Sequence, residues 1–108
     1  MKQNNDGHGY IVGATAVVRV WARDTDTNTS PDASEVECVV TDPDDNTDTY
    51  TYSGSDTSTA KKIADQPEVG QHEYRFYHAT TVAGRHTYRV TVTSTGVSIA
   101  DGYFVVTA

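Results

Sequence analysis

Apolar and polar side chains alternate along several segments of the chain, and this pattern predicts β-strands. The alternation is clear in residues 14–23, 35–41, 71–78 and 85–93. A period of two residues is typical of strands that bury one face of a sheet and expose the other. The residues expected in the core are Ala16, Val18, Val20, Ala22, Val36, Cys38, Val40, Tyr74, Phe76, His86, Tyr88, Val90, Val92, Phe104 and Val106.

Polar, turn-forming segments separate the predicted strands. In residues 42–46 a proline fixes one φ angle, and the aspartates and the asparagine tolerate the bend. Residues 94–96 end in glycine and predict a hairpin turn. About seven strands separated by such turns predict an antiparallel β-sandwich.

The composition also favours an all-β fold. The 108 residues include seventeen threonines and fourteen valines but no leucine. Valine, threonine and the seven tyrosines are typical of strands, whereas helices favour leucine, alanine, glutamate and lysine. A chain of this length provides one domain with a modest core.

The charge balance excludes some partners. Eight lysines and arginines are outnumbered by fifteen aspartates and glutamates, which gives a formal net charge of −7. We expect no nucleic-acid partner, because contacts to phosphates need clustered lysine and arginine. We expect no membrane partner, because no apolar run approaches the roughly 20 residues of a membrane helix. The single cysteine, Cys38, excludes an internal disulfide.

The first nine residues are polar and predict an N-terminal arm (1–9) in front of the sandwich domain (10–108). They contain no apolar segment of the kind found in a secretory signal. Polar termini are usually disordered unless something holds them. We therefore expect either that residues 8–12 pair as an edge strand or that the arm lies on a partner. The arm residues expected to bind a partner are Met1, Lys2, Gln3, Asn4 and Asn5.

The first long strand carries an aromatic and basic face. Trp21 alternates in register with Arg19 and Arg23, on the side away from the predicted core. The preferred interpretation is a tryptophan that packs over its neighbours in the sheet. The alternative is a partner-binding anchor, because tryptophan and arginine are common hot-spot residues in interfaces.

The loop of residues 24–35 has the oxygen-ligand spacing of a calcium loop. Its sixth position is Thr29 where a calcium loop needs glycine, and its flanks read as strands rather than helices. The preferred interpretation is therefore a solvated loop, with calcium as the alternative cofactor and no other cofactor expected. The ligands in that case are Asp24, Asp26, Asn28, Asp32 and Glu35.

Two or three of the four histidines form a second candidate metal site, which Cys38 could join as a soft ligand. His72, His78 and His86 lie in predicted strands among core-facing aromatic residues, and His8 lies in the arm. A hydrogen-bonded histidine at the end of the core is the more common outcome, and a metal site is the alternative. Cys38 lies in the middle of an apolar strand face, where a thiol is usually inert, and no nucleophile motif occurs. We therefore expect no enzymatic activity.

Five motifs follow one another along the chain. They are Val18-Arg19-Val20-Trp21-Ala22-Arg23-Asp24, Val40-Thr41-Asp42-Pro43-Asp44, Val69-Gly70-Gln71-His72-Glu73-Tyr74, His86-Thr87-Tyr88-Arg89-Val90, and Gly96 to Ala100 followed by Phe104-Val105-Val106. Their order resembles that in small immunoglobulin-like domains of tailed-bacteriophage virions. The resemblance covers residues 12–107. Asp45 occupies a position at which the turns of these domains often have glycine.

The resemblance implies a non-enzymatic structural protein of the virion, assembled in the host cytoplasm. Its partners would be other virion proteins such as the major capsid protein, and it allows a homo-oligomer. Decoration or cementing of the capsid is the first expectation, and a place in the neck or tail the second. The alternative function is a carbohydrate- or cell-surface-binding module, with or without calcium. Its stacking platform would be Tyr50, Tyr52, Tyr77 and Tyr103.

Overall fold

The computed structural model describes residues 2–3, 8–22, 35–66, 71–93 and 97–108. Within these ranges the chain forms nine strands and no helix, as the composition predicts. The strands are β1 (Lys2–Gln3), β2 (His8–Ile11), β3 (Thr15–Ala22), β4 (Glu35–Thr41), β5 (Thr47–Tyr52), β6 (Ala60–Gln66), β7 (Gln71–Ala79), β8 (Gly84–Thr93) and β9 (Val97–Thr107).

The strands form two sheets. The four-stranded sheet has the order β1-β3-β7-β6, and the five-stranded sheet has the order β2-β9-β8-β4-β5. The all-β, two-sheet architecture is that of a β-sandwich, as predicted. Two details differ from the prediction. The described residues contain nine strands rather than about seven, and β2 runs parallel to β9, whereas the other pairs are antiparallel.

The core lies between the sheets and contains the side chains that the alternation selects. Ala16, Val18 and Val20 of the first sheet are completely buried, and so are Val36 and Val90 of the second. Each buried valine side chain stabilises the fold by about 1.5–3 kcal/mol. All the other predicted core residues are buried as well, except Ala22, whose side chain lies outside the described part of the structure.

The N-terminal segment changes sheets between β2 and β3. β2 pairs with β9 at the edge of the five-stranded sheet, so residues 8–11 form the edge strand expected there. The buried Thr80 holds the turn that follows: its hydroxyl donates to the carbonyl of Ala14 at 2.6 Å and accepts from the amide of Gly13 at 3.1 Å. The predicted division between arm and domain falls within β2.

The turn between β4 and β5 confirms the sequence interpretation of its aspartates. One carboxylate oxygen of Asp42 accepts the backbone N–H groups of Asp44 and Asn46, each at 2.9 Å. Desolvation opposes ionisation of this carboxyl, but the hydrogen bonds from Asn46 and Asp44 prevail and lower the pKa of Asp42. Asp45 has a φ of 66°, which is the left-handed conformation that glycine adopts without strain.

We expect Asp45→Gly to leave the free energy of unfolding within about 0.5 kcal/mol of its original value, and Asp45→Ala to lower it by about 1–2 kcal/mol. Alanine has the Cβ that disfavours a positive φ, and it lacks the polar side chain that lets aspartate tolerate this conformation. Urea unfolding of the two variants tests the difference. Equal losses in both would contradict the assignment of strain to this residue.

Candidate interaction surface

Three cationic residues stand side by side on the outer face of the four-stranded sheet. Arg19 of β3 pairs in register with Arg75 of β7, and Arg75 pairs with Lys61 of β6. Both chain neighbours of Arg19 and of Arg75, and Ala60 beside Lys61, are buried between the sheets, so all three side chains point outward. We call Arg19, Arg75 and Lys61 the cationic row. Because adjacent strands lie about 4.8 Å apart, it crosses three strands in roughly 10 Å.

One carboxylate is already bound at the centre of the row. The side chain of Glu73, which is 9% exposed, accepts a hydrogen bond from Nε of Arg75, which is 29% exposed. This hydrogen bond raises the pKa of the Arg75 guanidinium. Lys61 lies over the ring of Tyr77, with Nζ 5.7 Å from the ring centre. One carboxylate and one aromatic ring therefore lie beside the three cations of the row.

The three positive charges of the row have one paired carboxylate, that of Glu73, in the described structure. Like charges directly opposite each other on neighbouring strands are destabilising. The chain has eight lysines and arginines and a net charge of −7, yet three of the eight meet in this one row. Among the described residues, Arg75 is the member of the row that has an ion-pair partner. Such a concentration of cations points to an anionic ligand.

The cations on the opposite sheet are arranged differently. Arg89 of β8 lies next to Asp101 of β9 and donates from Nε at 2.8 Å. This hydrogen bond raises the pKa of Arg89 and lowers that of Asp101. Arg85 lies over the ring of Tyr103, at 4.1 Å from its centre. The five-stranded sheet therefore has cations next to a carboxylate or an aromatic ring, and no described row of like charges.

Four of the residues predicted to bind a partner, Lys2, Gln3, Arg19 and Trp21, lie in the four-stranded sheet. Arg19 belongs to the cationic row, and the backbone of Trp21 pairs with Lys2 on one side and Glu73 on the other. Gln3 pairs with Val20, so β1 borders this sheet. Met1, Asn4, Asn5 and Arg23 lie outside the described residues. Their predicted contacts to a partner stay predictions.

Sequence reasoning missed Arg75 and Lys61. Arg75 lies in the alternating segment 71–78, on the side away from the core, whereas residues 60–64 around Lys61 do not alternate and fit either a short strand or one helical turn. The segments are separated from β3 by more than 30 residues, and no motif relates them. Their proximity to Arg19 depends on the register of β3, β7 and β6, which the alternation alone does not specify.

The predicted calcium loop lies mostly outside the described residues. This applies to Asp24, Asp26, Asn28 and Asp32. Glu35 is the first residue of β4 and is exposed. In the described part of the chain, no three His, Cys, Asp or Glu side chains come together as they would around a metal ion.

Two buried histidines fill one end of the core. His78 of β7 is 5% exposed and His86 of β8 is 1% exposed, with their rings 5.8 Å apart. Nδ1 of His86 donates to the carbonyl of Gly84 at 3.3 Å. The hydroxyl of Tyr50 lies 2.6 Å from Nδ1 of His78 and donates to it in the tautomer protonated at Nε2. Both are hydrogen-bonded core histidines, the more common outcome anticipated from the sequence.

The surroundings of His78 lower its pKa. Burial is the main cause, because it disfavours the charged imidazolium, and His86 acts in the same direction. Asp48, whose carboxylate lies 3.6 Å from Nδ1, and Asp42 oppose the shift. Burial also raises the pKa of the Tyr50 hydroxyl to about 12, so this group stays protonated at neutral pH.

We expect acidification to destabilise the protein through His78. Its pKa is near 6.5 in the unfolded chain and lower in the folded protein, so the unfolded state binds more protons below pH 6.5. The free energy of unfolding should therefore be highest above that pH and fall as the pH drops toward the folded pKa. Urea midpoints between pH 7.5 and 5 test this, with His78→Gln as the non-titrating control. An identical pH dependence in both proteins would exclude the contribution of His78.

The remaining candidate groups are separated by the fold. Burial raises the pKa of Cys38 to about 12, which keeps the thiol protonated and inert as predicted.

The tyrosines of the predicted stacking platform lie in different places. Tyr52 is 7% exposed in the core, Tyr77 lies on the outer face of the four-stranded sheet, and Tyr103 lies on the outer face of the five-stranded sheet. The four tyrosines therefore do not share a face, and the predicted stacking platform is wrong.

A groove lies beside β2 and the end of β9. It has a volume of about 350 Å³ and is lined by Gly9, Tyr10, Ile11, Ala14 and Thr107. Ile11 at its rim is 67% exposed. These lining residues include no charged side chain, so the groove can make mainly apolar contacts with a ligand.

Comparison of the chain with protein-family models, curated proteins and solved structures gives no match. Within the segments that the structure describes, no helix has the length and apolar character needed to cross a membrane.

Proposed function

We propose that the two sheets form an immunoglobulin-like domain. If β1 and β2 are lettered A and A′, and β3 to β9 are lettered B, C, C′, D, E, F and G, the sheets have the orders A-B-E-D and A′-G-F-C-C′. Immunoglobulin-like sandwiches place A, B, E and D in one sheet and C, F and G in the other. Antibody domains join strands B and F by a disulfide, and here those strands contribute Val18 and Val90 to the core.

We further propose that the protein is a non-enzymatic structural subunit of a tailed-phage particle that binds other virion proteins. The cationic row is the observation that supports a binding role most strongly, because it concentrates three positive charges on one outer face of a chain with a net charge of −7. The resemblance of the motif order to virion immunoglobulin-like domains supports the location. Decoration of the capsid is the first assignment within this proposal.

Quantitative mass spectrometry of purified particles from the source tests the virion role. The copy number of this chain is scaled to that of the major capsid protein. A ratio near one, or a simple fraction of it, supports capsid decoration. A few copies per particle would support the neck or tail instead. Absence from washed particles would overturn the virion role.

A further inference from the structure

We propose that the cationic row is a binding site for a carboxylate-bearing segment of a partner protein. This inference rests on the proposed function as an interaction protein and names the chemistry of the partner. The site consists of Arg19, Arg75 and Lys61, with Tyr77 and Val17 in the next register row across β3 and β7. An acidic segment would lie across the strands on the outer face of the four-stranded sheet.

The first argument concerns charge. Three cations in direct register repel one another in the free protein, and an anion placed among them removes that repulsion. Glu73 pairs with Arg75, the middle residue of the three. Arg19 and Lys61, on either side, carry two further positive charges. A partner that supplies two carboxylates complements these outer members of the row.

The second argument concerns the class of anion. The row already holds one carboxylate, because Nε of Arg75 donates to Glu73. Guanidinium groups bind carboxylates in a directional, charge-assisted geometry, and Arg19 offers the same group at the next strand. The net charge of −7 repels a long polyanion such as nucleic acid more strongly than a short acidic segment, because the segment carries fewer negative charges.

The third argument concerns the surface around the charges. Tyr77 lies under Lys61, and Val17 pairs with Tyr77 in register. Both side chains are half-buried and on the same face as the row. An interface with an apolar and aromatic part beside a few cations suits a polypeptide, which provides side chains for both. Free phosphate or a metal chelate would use the charges alone.

The test is binding of a fluorescent oligoglutamate to the purified protein, measured by fluorescence anisotropy at low salt. Oligoglutamine of equal length, inorganic phosphate as competitor and a single-stranded oligonucleotide are the comparison ligands. We expect oligoglutamate to bind, oligoglutamine not to bind, and added salt to weaken the complex. Arg19→Gln and Lys61→Gln should each weaken binding about twofold to fivefold, which is the range for one partly exposed charge pair.

Arg85→Gln is the matched control. It removes the same charge from the opposite sheet, where Arg85 lies over Tyr103. It should leave the dissociation constant nearly unchanged. A second readout is the melting temperature of the free protein. Arg19→Gln should leave it unchanged or raise it, because it relieves repulsion, whereas Arg75→Gln should lower it by leaving Glu73 buried without its partner.

Each remaining outcome overturns the inference in a defined way. Equal weakening by Arg19→Gln, Lys61→Gln and Arg85→Gln would assign binding to net charge rather than to the row. Tighter binding of the oligonucleotide, or full competition by phosphate at low concentration, would assign the site to phosphate. Absence of oligoglutamate binding to a protein that is nevertheless found in particles would refute this site and leave the virion role standing. Oligoglutamate binding by a protein that is absent from particles would support this site and refute the virion role.

Discussion

Replacing Phe104 by alanine is expected to lower the free energy of unfolding by about 3–5 kcal/mol, the range for truncation of a buried phenylalanine. Phe104 is completely buried in β9. Its ring lies 4.9 Å from that of His86, in a stacked arrangement, and 5.6 Å from that of Tyr10, edge to face. The rings of His78 and Tyr88 follow at 6.1 and 6.4 Å.

The size of the loss follows from the position of Phe104 between the sheets. Its neighbours come from β2, β7 and β8, so alanine leaves a cavity that no single strand can close by moving. A domain of this size is typically stable by only 5–15 kcal/mol, so a substantial fraction of the protein should unfold at moderate urea concentrations. Urea or thermal unfolding followed by circular dichroism measures the effect.

Phe104→Leu is the control for Phe104→Ala. It retains most of the apolar volume and should cost less than about 1.5 kcal/mol. A loss below about 1 kcal/mol for alanine would contradict the placement of this ring at the centre of the aromatic cluster. A loss as large for leucine as for alanine would show that ring geometry, rather than volume, is the dominant factor.

Gly84→Ala is expected to lower the free energy of unfolding by about 2–5 kcal/mol, the sum of a backbone and a steric contribution. Gly84 begins β8 with a φ of +127°, and a Cβ placed on it would lie 2.6 Å from Cγ of Pro43. The backbone strain contributes about 1–2 kcal/mol, and the steric conflict adds about 1–3 kcal/mol. Pro43 belongs to the turn between β4 and β5, so the added Cβ at the start of β8 would clash with a residue of a different turn.

Two controls separate these contributions. Gly54→Ala carries the strain alone, because Gly54 has a φ of +97° and no atom lies within 4 Å of the position that a Cβ would take. It should cost about 1–2 kcal/mol. Gly84→Ala combined with Pro43→Ala removes the nearer of the two Pro43 atoms that the new Cβ would meet, because Cγ at 2.6 Å is lost and Cβ at 3.2 Å is retained. The double variant should therefore lose less than the sum of the single variants. Additive losses would show that the two residues do not meet.

The strands of the core were predictable because a strand with one buried face has apolar residues at every second position of the sequence. In β8 every second residue from His86 to Val92 is buried, and the residues between them are exposed or half-buried. β4 shows the same alternation through Val36, Cys38 and Val40. Since successive side chains of a strand point to opposite faces, a stretch of roughly seven to ten residues is sufficient to identify which side faces the core.

The aspartates of the turn were also correctly interpreted from the sequence. Asp42 caps the backbone of the residues that follow it, which requires neighbours only two and four positions away. Such contacts are local in the chain, and the preference of aspartate for them is a property of its short side chain.

Pairing between distant segments was not predictable in the same way. The parallel pairing of β2 with β9 joins residues almost a full chain length apart, and antiparallel pairing was expected instead. The contact of Tyr50 with His78, across the two sheets, was likewise absent from the sequence interpretation. Both depend on how the sheets are assembled, for which alternation carries no information.

The all-β class, most of the core side chains, the inert cysteine and the chemistry of the β4–β5 turn could therefore be inferred from the sequence, whereas Tyr52 and Ala60 of the core were not predicted. Each of the inferred features follows from the periodicity or local preference of residues that are neighbours in the chain. That Arg19, Arg75 and Lys61 form one row became evident from the fold alone. Side-chain alternation fixes which face of a sheet a residue occupies, whereas the packing of the whole core sets the strand order and register, and these fix which residues meet on that face.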